Sequence, residues 1–356
     1  MGKKVDSIID GHKIHLHPDK VSQWKSEGDC YPIHIEIGTT NRCNQNCVFC
    51  ALDFARGKTD IDKDVMLKGL ESMAKCGVNS VMFGGEGEPT LHKDLGLFVQ
   101  KAKQFGLDVA LTTNGVLFDK QLQEDCLPYL SWVKFSMDSG TPQTYSKIHK
   151  SPESHFYKLL SNIFSSKEFK IKKRLDVTIG IQNLMIPQNM NSEEIEGLFI
   201  NSNKIKPDYL SIKPYSDHPR SRKDLIVGVK EYNLLEEKIT EMRNSSDFEV
   251  YFRKNTIERI QEGNNYPECY GLSFISLIDS KGNILPCNIF YGQEEFTYGN
   301  LYENSFEEIW KSSKRKEVIK KLKDVGTKSC RNGCRCDAGN RYLHRIKNPE
   351  SHDNFT

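Results

Sequence analysis

The sequence predicts an α/β fold built on a parallel sheet, and three observations predict it. Short strand-like runs alternate with helical runs six times between residues 31 and 213. The stretches between strands have the length of right-handed crossovers, not of hairpins. Glycine-rich and polar residues gather where each strand hands over to its helix, the end at which α/β barrels collect ligands. Six such units make a partial (β/α)6 TIM-like barrel. The chain has 356 residues, more than one core usually serves, so a main domain and a smaller module are expected.

A strand over 31–38 reads as buried and runs into a loop bearing three cysteines. A helix over 63–76 follows, then a strand over 79–83 whose end carries Gly-Gly-Glu. A helix over 93–104 leads to a strand over 108–113, which ends in Thr-Thr-Asn-Gly. Next come a helix over 120–127, a strand over 132–137, a helical stretch over 142–166 and a strand over 174–182. A helix over 192–203 and a strand over 209–213 complete the six units. Residues 215–228 are polar, contain His218-Pro219-Arg220 and break the alternation, so the barrel ends near residue 215. The expected division is an N-terminal segment over 1–30, the barrel over 31–214 and a second module over 215–356. That module reads as a helix over 230–243, a hairpin of strands over 272–279 and 283–285 joined at Ser-Lys-Gly, and an amphipathic helix over 305–322. Residues 340–355 read as an amphipathic helix and tail. His12, His15 and His17 alternate near the N-terminus and fit a polar edge strand or a disordered arm better than a metal site.

Composition excludes several function classes. Fifty Lys and Arg stand against 48 Asp and Glu, a net charge of +2, too balanced to argue for nucleic acid or an acidic membrane surface. No apolar run reaches the roughly twenty residues of a spanning helix, and the N-terminus carries neither a signal stretch nor a myristoylation pattern. Eleven cysteines without a secretory signal point to a reducing, cytoplasmic setting in which thiolates serve as ligands.

Cys43, Cys47 and Cys50 stand in Thr-Asn-Arg-Cys-Asn-Gln-Asn-Cys-Val-Phe-Cys, a C-x3-C-x2-C spacing. Three soft thiolates on one loop suit three irons of a [4Fe–4S] cluster and leave the fourth iron open. A closed zinc site needs a fourth ligand, which this loop lacks, and disulfides need an oxidising compartment. The run resembles the signature of the radical S-adenosylmethionine (radical SAM) superfamily, including Phe49 before the last cysteine. Residues 81–90, Val-Met-Phe-Gly-Gly-Glu-Gly-Glu-Pro-Thr, are similar to that superfamily's "GGE" motif. By that resemblance Gly84, Gly85 and Glu86 receive the amino group of the SAM methionine; an ordinary strand-to-helix turn is the plain alternative. Ser136 and Asp138, at the end of the fourth strand, stand where the family often binds the SAM ribose, or else a helix N-cap forms there through Ser139 or Thr141. Thr112, Thr113 and Asn114 face the same cavity and are candidates for the methionine part or the substrate. Lys213 is a candidate substrate ligand or a solvated rim lysine, and Glu88 a candidate helix cap.

A second constellation follows. Cys269, Gly282 and Cys287 read C-x12-G-x4-C around the hairpin, and Cys330-x3-Cys334-x-Cys336 lies after the amphipathic helix. This resembles the auxiliary-cluster modules of radical SAM enzymes, SPASM and its shortened form, twitch. Five cysteines imply one auxiliary [4Fe–4S] cluster on Cys269, Cys287, Cys330 and Cys334, with Cys336 the alternate fourth ligand; a structural zinc site is the alternative. Cys30, Cys76 and Cys126 sit singly and carry no expected role. Asp279, Arg253 and Tyr291 have a positional claim to the module's cavity side.

The resemblance implies reductive cleavage of SAM to a 5′-deoxyadenosyl radical, which abstracts a substrate hydrogen. With an auxiliary cluster as electron acceptor, it implies an oxidoreductase that dehydrogenates a sugar, an aminocyclitol or another small molecule. Epimerisation or ribosomal-peptide maturation is the rival outcome, and a non-catalytic iron–sulfur protein the non-enzymatic one. Only 42 residues precede Cys43, too few for a separate peptide-binding winged helix, which favours a small substrate. The expected partners are that substrate and a reductant such as flavodoxin or ferredoxin, with neither nucleic acid nor membrane.

Overall fold

The structure is a computed structural model that describes residues 11–221, 223–328 and 330–355. After a 3-10 turn over Ile14–Leu16, helix α1 (Pro18–Glu27) precedes strand β1 (His34–Gly38). Then follow α2 (Lys63–Lys75), β2 (Ser80–Gly84), α3 (Leu95–Gln104), β3 (Asp108–Thr113), α4 (Lys120–Cys126) and β4 (Trp132–Ser136). The chain continues through α5 (Pro142–His149), α6 (Ser154–Lys173), β5 (Thr178–Met185), α7 (Ser192–Ile205) and β6 (Tyr209–Pro214). The remainder holds α8 (Val229–Asn244), β7 (Glu249–Phe252), α9 (Lys254–Glu262), β8 (Ile275–Ile278), β9 (Asn283–Leu285) and β10 (Gly299–Asn300). It closes with α10 (Phe306–Lys311), α11 (Ser313–Val325) and α12 (Asp337–Lys347).

Ten strands form one sheet in the order β10-β9-β8-β1-β2-β3-β4-β5-β6-β7. Every pairing from β8 through to β7 is parallel, and β9 and β10 alone run antiparallel to their neighbours. The six expected strands thus form the partial barrel, and the C-terminal hairpin adds to it by pairing Ile275–Ile278 beside β1. Alternation divides each strand between two environments. Ile35, Ile37, Val81, Phe83, Leu111, Val133, Phe135, Ile181 and Ile212 are wholly buried under the helices. The intervening positions, among them Glu36, Met82, Thr112, Lys134, Gln182 and Lys213, line the barrel interior. An interior this polar is a binding cavity, not a packed core.

Several elements differ from expectation for local reasons. The stretch over 142–166 is two helices, because Lys150 adopts a left-handed conformation (φ 47°) and Pro152 follows. Helix α6 then runs on to Lys173, and Arg174 caps it in a left-handed conformation, so β5 starts at Thr178 and not at 174. Ser312 ends α10 and N-caps α11, dividing the helix expected over 305–322. Residues 270–273 form a 3-10 turn, which shortens the first hairpin strand to Ile275–Ile278. Strand β7 and helix α9 have no counterpart in the sequence reading. The His12–His17 stretch is neither an edge strand nor an arm: Pro18 opens α1, whose Val21 and Trp24 pack with Tyr266, Tyr270, Phe274 and Leu343. The expected tail helix begins earlier, at Asp337, and ends at Lys347.

Arg315 ties the N-terminal segment to the C-terminal helices. It is fully buried, forks onto Asp29 at 2.5 and 3.0 Å, and stacks on Trp310 at 3.7 Å from the ring centroid. Asp29→Ala is expected to destabilise the protein by about 2 kcal/mol, the low side of a broken buried pair because Asp29 is 39 % exposed. Arg315→Met in the Asp29→Ala background should recover most of that loss, since it removes the stranded charge and keeps the volume. Chemical denaturation of the two variants checks both; a double variant weaker than the single one would refute the account.

Candidate active site

The loop between β1 and α2 carries Cys43, Cys47 and Cys50 and has no regular structure, so its neighbours must satisfy its backbone. Asn46 and Val48 donate N–H bonds to His149 and Ile148 at the end of α5 (3.0 and 2.9 Å). Arg42 forks onto Asp60 (2.9 and 2.6 Å) and reaches the Leu91 carbonyl at 2.7 Å. Gln45 donates to the buried Tyr145 hydroxyl at 2.7 Å, and Arg56 bonds the Gln45 carbonyl. Opposite, Glu88 N–H donates to the Arg42 carbonyl at 2.8 Å. Gly87 is needed for that approach, because a Cβ there would lie 2.3 Å from the Thr40 carbonyl oxygen.

The three thiols open into a cavity of about 340 Å³ at the C-terminal ends of the strands. Phe49, Gly84, Gly85, Glu86, Thr112, Thr113, Asn114, Ser136, Asp138 and Lys213, all expected there, line the same cavity. Burial pushes Cys43 up to about 11 and Cys47 well above its ordinary value, and Cys47 is also raised by Cys43 and Asp138. Cys47 Sγ lies 3.1 Å from Nδ1 of His149, which burial holds neutral by pushing it down to about 3. Burial raises Glu86 to about 7; one of its oxygens accepts the Ser280 N–H at 2.8 Å and the other has no hydrogen-bond partner. Gly38 leaves room for that carboxylate, since a Cβ there would lie 2.1 Å from its free oxygen and displace it. Three free thiols and an unsatisfied buried carboxylate oxygen facing one cavity fit a cluster with an amine-bearing ligand.

Other candidates are more committed. Asp138 Oδ1 accepts the Leu184 N–H at 2.7 Å and Oδ2 lies 3.6 Å from His149 Nε2, while Thr141, not Ser139, caps α5. Asn114 donates to Asn44 at 2.7 Å and accepts from Val116 N–H at 3.1 Å, so its amide holds the cysteine loop to β3. Glu88 caps the 3-10 turn over Pro89–Leu91, as expected, and also accepts from Thr113 and Asn114. Lys213 is not a solvated rim lysine: it lies in the cavity, where burial and then Lys134, Arg253 and Arg331 press its pKa well below the ordinary value.

Sequence reasoning missed Glu36, Gln45, Lys134, Gln182, Arg331 and Arg335, which also line the cavity. For Lys134 a signal existed, since it shares a strand face with Ser136. Arg331 and Arg335 lie between auxiliary cysteines in sequence, and folding alone carries them across to the barrel, where Arg335 pairs with Glu36. Tyr291 lies against Gly85, and Asp279 closes the β8–β9 turn by accepting Lys281 and Asn283 N–H bonds at 2.9 Å.

The five C-terminal cysteines come together. Cys336 bonds both Cys269 and Cys334, and Cys287 feels Cys269, Cys334 and Cys330. Cys269 is lowered first by its bond from Cys336, with Asn340 and the Gly271 and Leu272 N–H groups adding to it against the opposing effect of burial. Cys336 therefore lies beside Cys269 and Cys334, and five thiols exceed the four that one cluster takes. Among the described residues no three His, Cys, Asp or Glu side chains are gathered around a single-ion position. Cys30 and Cys126 are buried among apolar residues, and Cys76 packs against the main core. His12 packs on Tyr342 and His15. No described helix is long and apolar enough to cross a membrane.

Comparison with known proteins agrees with this geometry. The model of the radical SAM superfamily matches residues 37–199, and that of the SPASM iron–sulfur cluster-binding domain matches 269–337. The chain is 25% identical over 289 residues to GTP 3′,8-cyclase of Clostridium botulinum, covering 76% of this chain and 85% of that one. It is 27% identical over 201 residues to GTP 3′,8-cyclase of Chlorobaculum tepidum, covering 55% of this chain and 58% of that relative. In fold it is similar to Streptococcus suis SuiB bound to its precursor peptide SuiA (TM-score 0.65, 19% identity, 85% of this chain, 70% of that one). It is likewise similar to anSMEcpe with bound AdoMet (TM-score 0.57, 18% identity, 89% and 96%).

Gly87→Ala is expected to push the cysteine loop outward, at a cost of about 1–3 kcal/mol. Iron per chain after anaerobic reconstitution should fall below the wild-type value. Unchanged iron would show that the close approach at Gly87 does not set the loop.

Proposed function

The chain belongs to the radical SAM superfamily and carries an SPASM module, and from that premise we propose that it dehydrogenates a small hydroxylated molecule such as a sugar or aminocyclitol. Bound in the cavity, the cluster and SAM supply a carbon radical able to remove hydrogen from an unactivated C–H bond. Cys43, Cys47 and Cys50 would hold that cluster. The Gly84-Gly85-Glu86 turn would take the methionine amino group, Ser136 and Asp138 the ribose, and Phe49 would pack beside the bound SAM. Asn114 keeps the cysteine loop in place, and Arg331, Arg335 and Asn288 wall the cavity on the module side, restricting water.

The observation that carries the oxidative reading is the position of Arg331 and Arg335. They lie among the auxiliary cysteines in sequence and line the cavity in space, which supports an auxiliary site next to it. In alcohol-to-ketone oxidation, carbon loses a hydrogen atom, oxygen loses a proton, and one electron needs an acceptor. Cys269, Cys287, Cys330 and Cys334, with Cys336 as the alternate, are the donor set that would hold one. The inner cavity's size and the similarity to cyclases named for a nucleotide support a small substrate. A second reading, peptide maturation or epimerisation, is favoured by a groove of about 740 Å³ that shares Tyr215 and Arg331 with the cavity and has room for a longer chain.

Wild type should hold about eight iron after anaerobic reconstitution, and a Cys43/Cys47/Cys50→Ala variant about four. Iron absent from that variant would remove the auxiliary cluster and with it the oxidative reading. Cys47→Ala should reduce 5′-deoxyadenosine formation to background with the barrel intact by circular dichroism. Cys287→Ala should keep some SAM cleavage and lose ketone product; normal ketone yield would exclude the electron-acceptor role. A flavodoxin or ferredoxin is the reductant to supply.

A further inference from the structure

The cavity wall carries more basic than acidic side chains, with Arg56, Lys134, Lys213, Arg331 and Arg335 against Glu36, Glu86, Glu88 and Asp138. Lys134 of β4 and Lys213 of β6 project into it, and Arg331 and Arg335 reach it from the C-terminal module. Arg335 is paired with Glu36, and Arg331 donates to the Ser216 hydroxyl at 2.9 Å. Among the described residues neither lysine has a carboxylate oxygen within 4.0 Å, although the cavity wall holds four acids. Glu36 pairs with Arg335, Glu86 accepts the Ser280 N–H, Glu88 accepts from Thr113 and Asn114, and Asp138 accepts the Leu184 N–H, so Glu36 and Asp138 act on Lys134 and Lys213 only from a distance.

Two half-buried ammonium groups lining one cavity repel each other and forfeit part of their hydration, and a counter-charge offsets both effects. The shifts agree in direction: burial, Arg253 and Arg335 lower Lys134 to about 8, and burial and Lys134 lead the lowering of Lys213. A neutral sugar hydroxyl would leave this cost in place, whereas a phosphate or carboxylate would remove it.

We propose that Lys134 and Lys213, with Arg331 beside them, form a subsite for an anionic group of the substrate, a phosphate or a carboxylate. The inference rests on the radical SAM reading above and narrows its substrate class from neutral polyols to phosphorylated or carboxylated molecules. Each lysine gives a mobile point charge, which suits a tetrahedral phosphate or a carboxylate that shifts as the reaction proceeds. The subsite lies on β4 and β6, across the barrel from the Gly-Gly-Glu turn of β2, so an anion held there sets the far end of the substrate.

Isothermal titration calorimetry of the reconstituted, SAM-loaded protein with inorganic pyrophosphate tests this. Wild type is expected to bind pyrophosphate, the Lys134→Met/Lys213→Met variant at least 30-fold more weakly, and Lys213→Arg within about threefold of wild type. SAM affinity, measured by equilibrium dialysis, should stay within about threefold throughout. Absence of pyrophosphate binding in SAM-loaded wild type, or equal binding in the double variant, would overturn the proposal. A parallel loss of SAM affinity would also overturn it, because the lysines would then serve the carboxylate of SAM. Failure of the underlying reading looks different: no 5′-deoxyadenosine on reduction of wild type, whatever pyrophosphate does.

Discussion

Everything at the reaction end of this protein depends on holding an irregular loop with three half-buried thiols in one place. A loop without secondary structure keeps its shape only if each backbone polar group finds a partner, and here the partners come from three elements. The end of α5 accepts from Asn46 and Val48, the Arg42–Asp60 fork clasps the base, and Glu88 with Gly87 lies against the far side. Because Glu88 also bonds Thr113 and Asn114, and Asn114 bonds Asn44, the ends of β2 and β3 and the loop form one network. Displacing any member disturbs the thiols.

The same network explains why Glu88 is a poor candidate for direct contact with a ligand. Glu88 and Asn114 spend their polar atoms on the scaffold, and Asp138 gives one oxygen to the backbone of β5. Glu86 differs. It receives one bond from the hairpin tip and keeps a buried oxygen unsatisfied, at the turn where the resemblance places an amine.

The C-terminal module is part of the barrel wall. Strand β8 extends the sheet beside β1, Ser280 reaches Glu86, and Arg335 enters the lumen to meet Glu36. The residues between the C-terminal cysteines thus form part of the wall of the cavity into which the cysteine loop opens. They also add to the basic side chains that the cavity's own strands supply.

Local chemistry made much of this legible in the sequence. Six alternating units, the cysteine spacings and the glycine turn are short-range patterns, since strand parity, crossover length and ligand spacing are set within a few residues. Strand β7, helix α9 and the burial of α1 were not legible, because such short or moderately apolar runs acquire their structure from what they pack against. The sequence by itself determined the α/β order, the loop that bears three thiols and the count of five cysteines behind it. Only the tertiary structure decided that Lys134 and Lys213 line one cavity, that Arg331 and Arg335 cross to the barrel, and that Cys336 lies among the auxiliary thiols. Those are contacts between residues far apart in the chain, and their geometry follows from how the sheet curls and where the module docks.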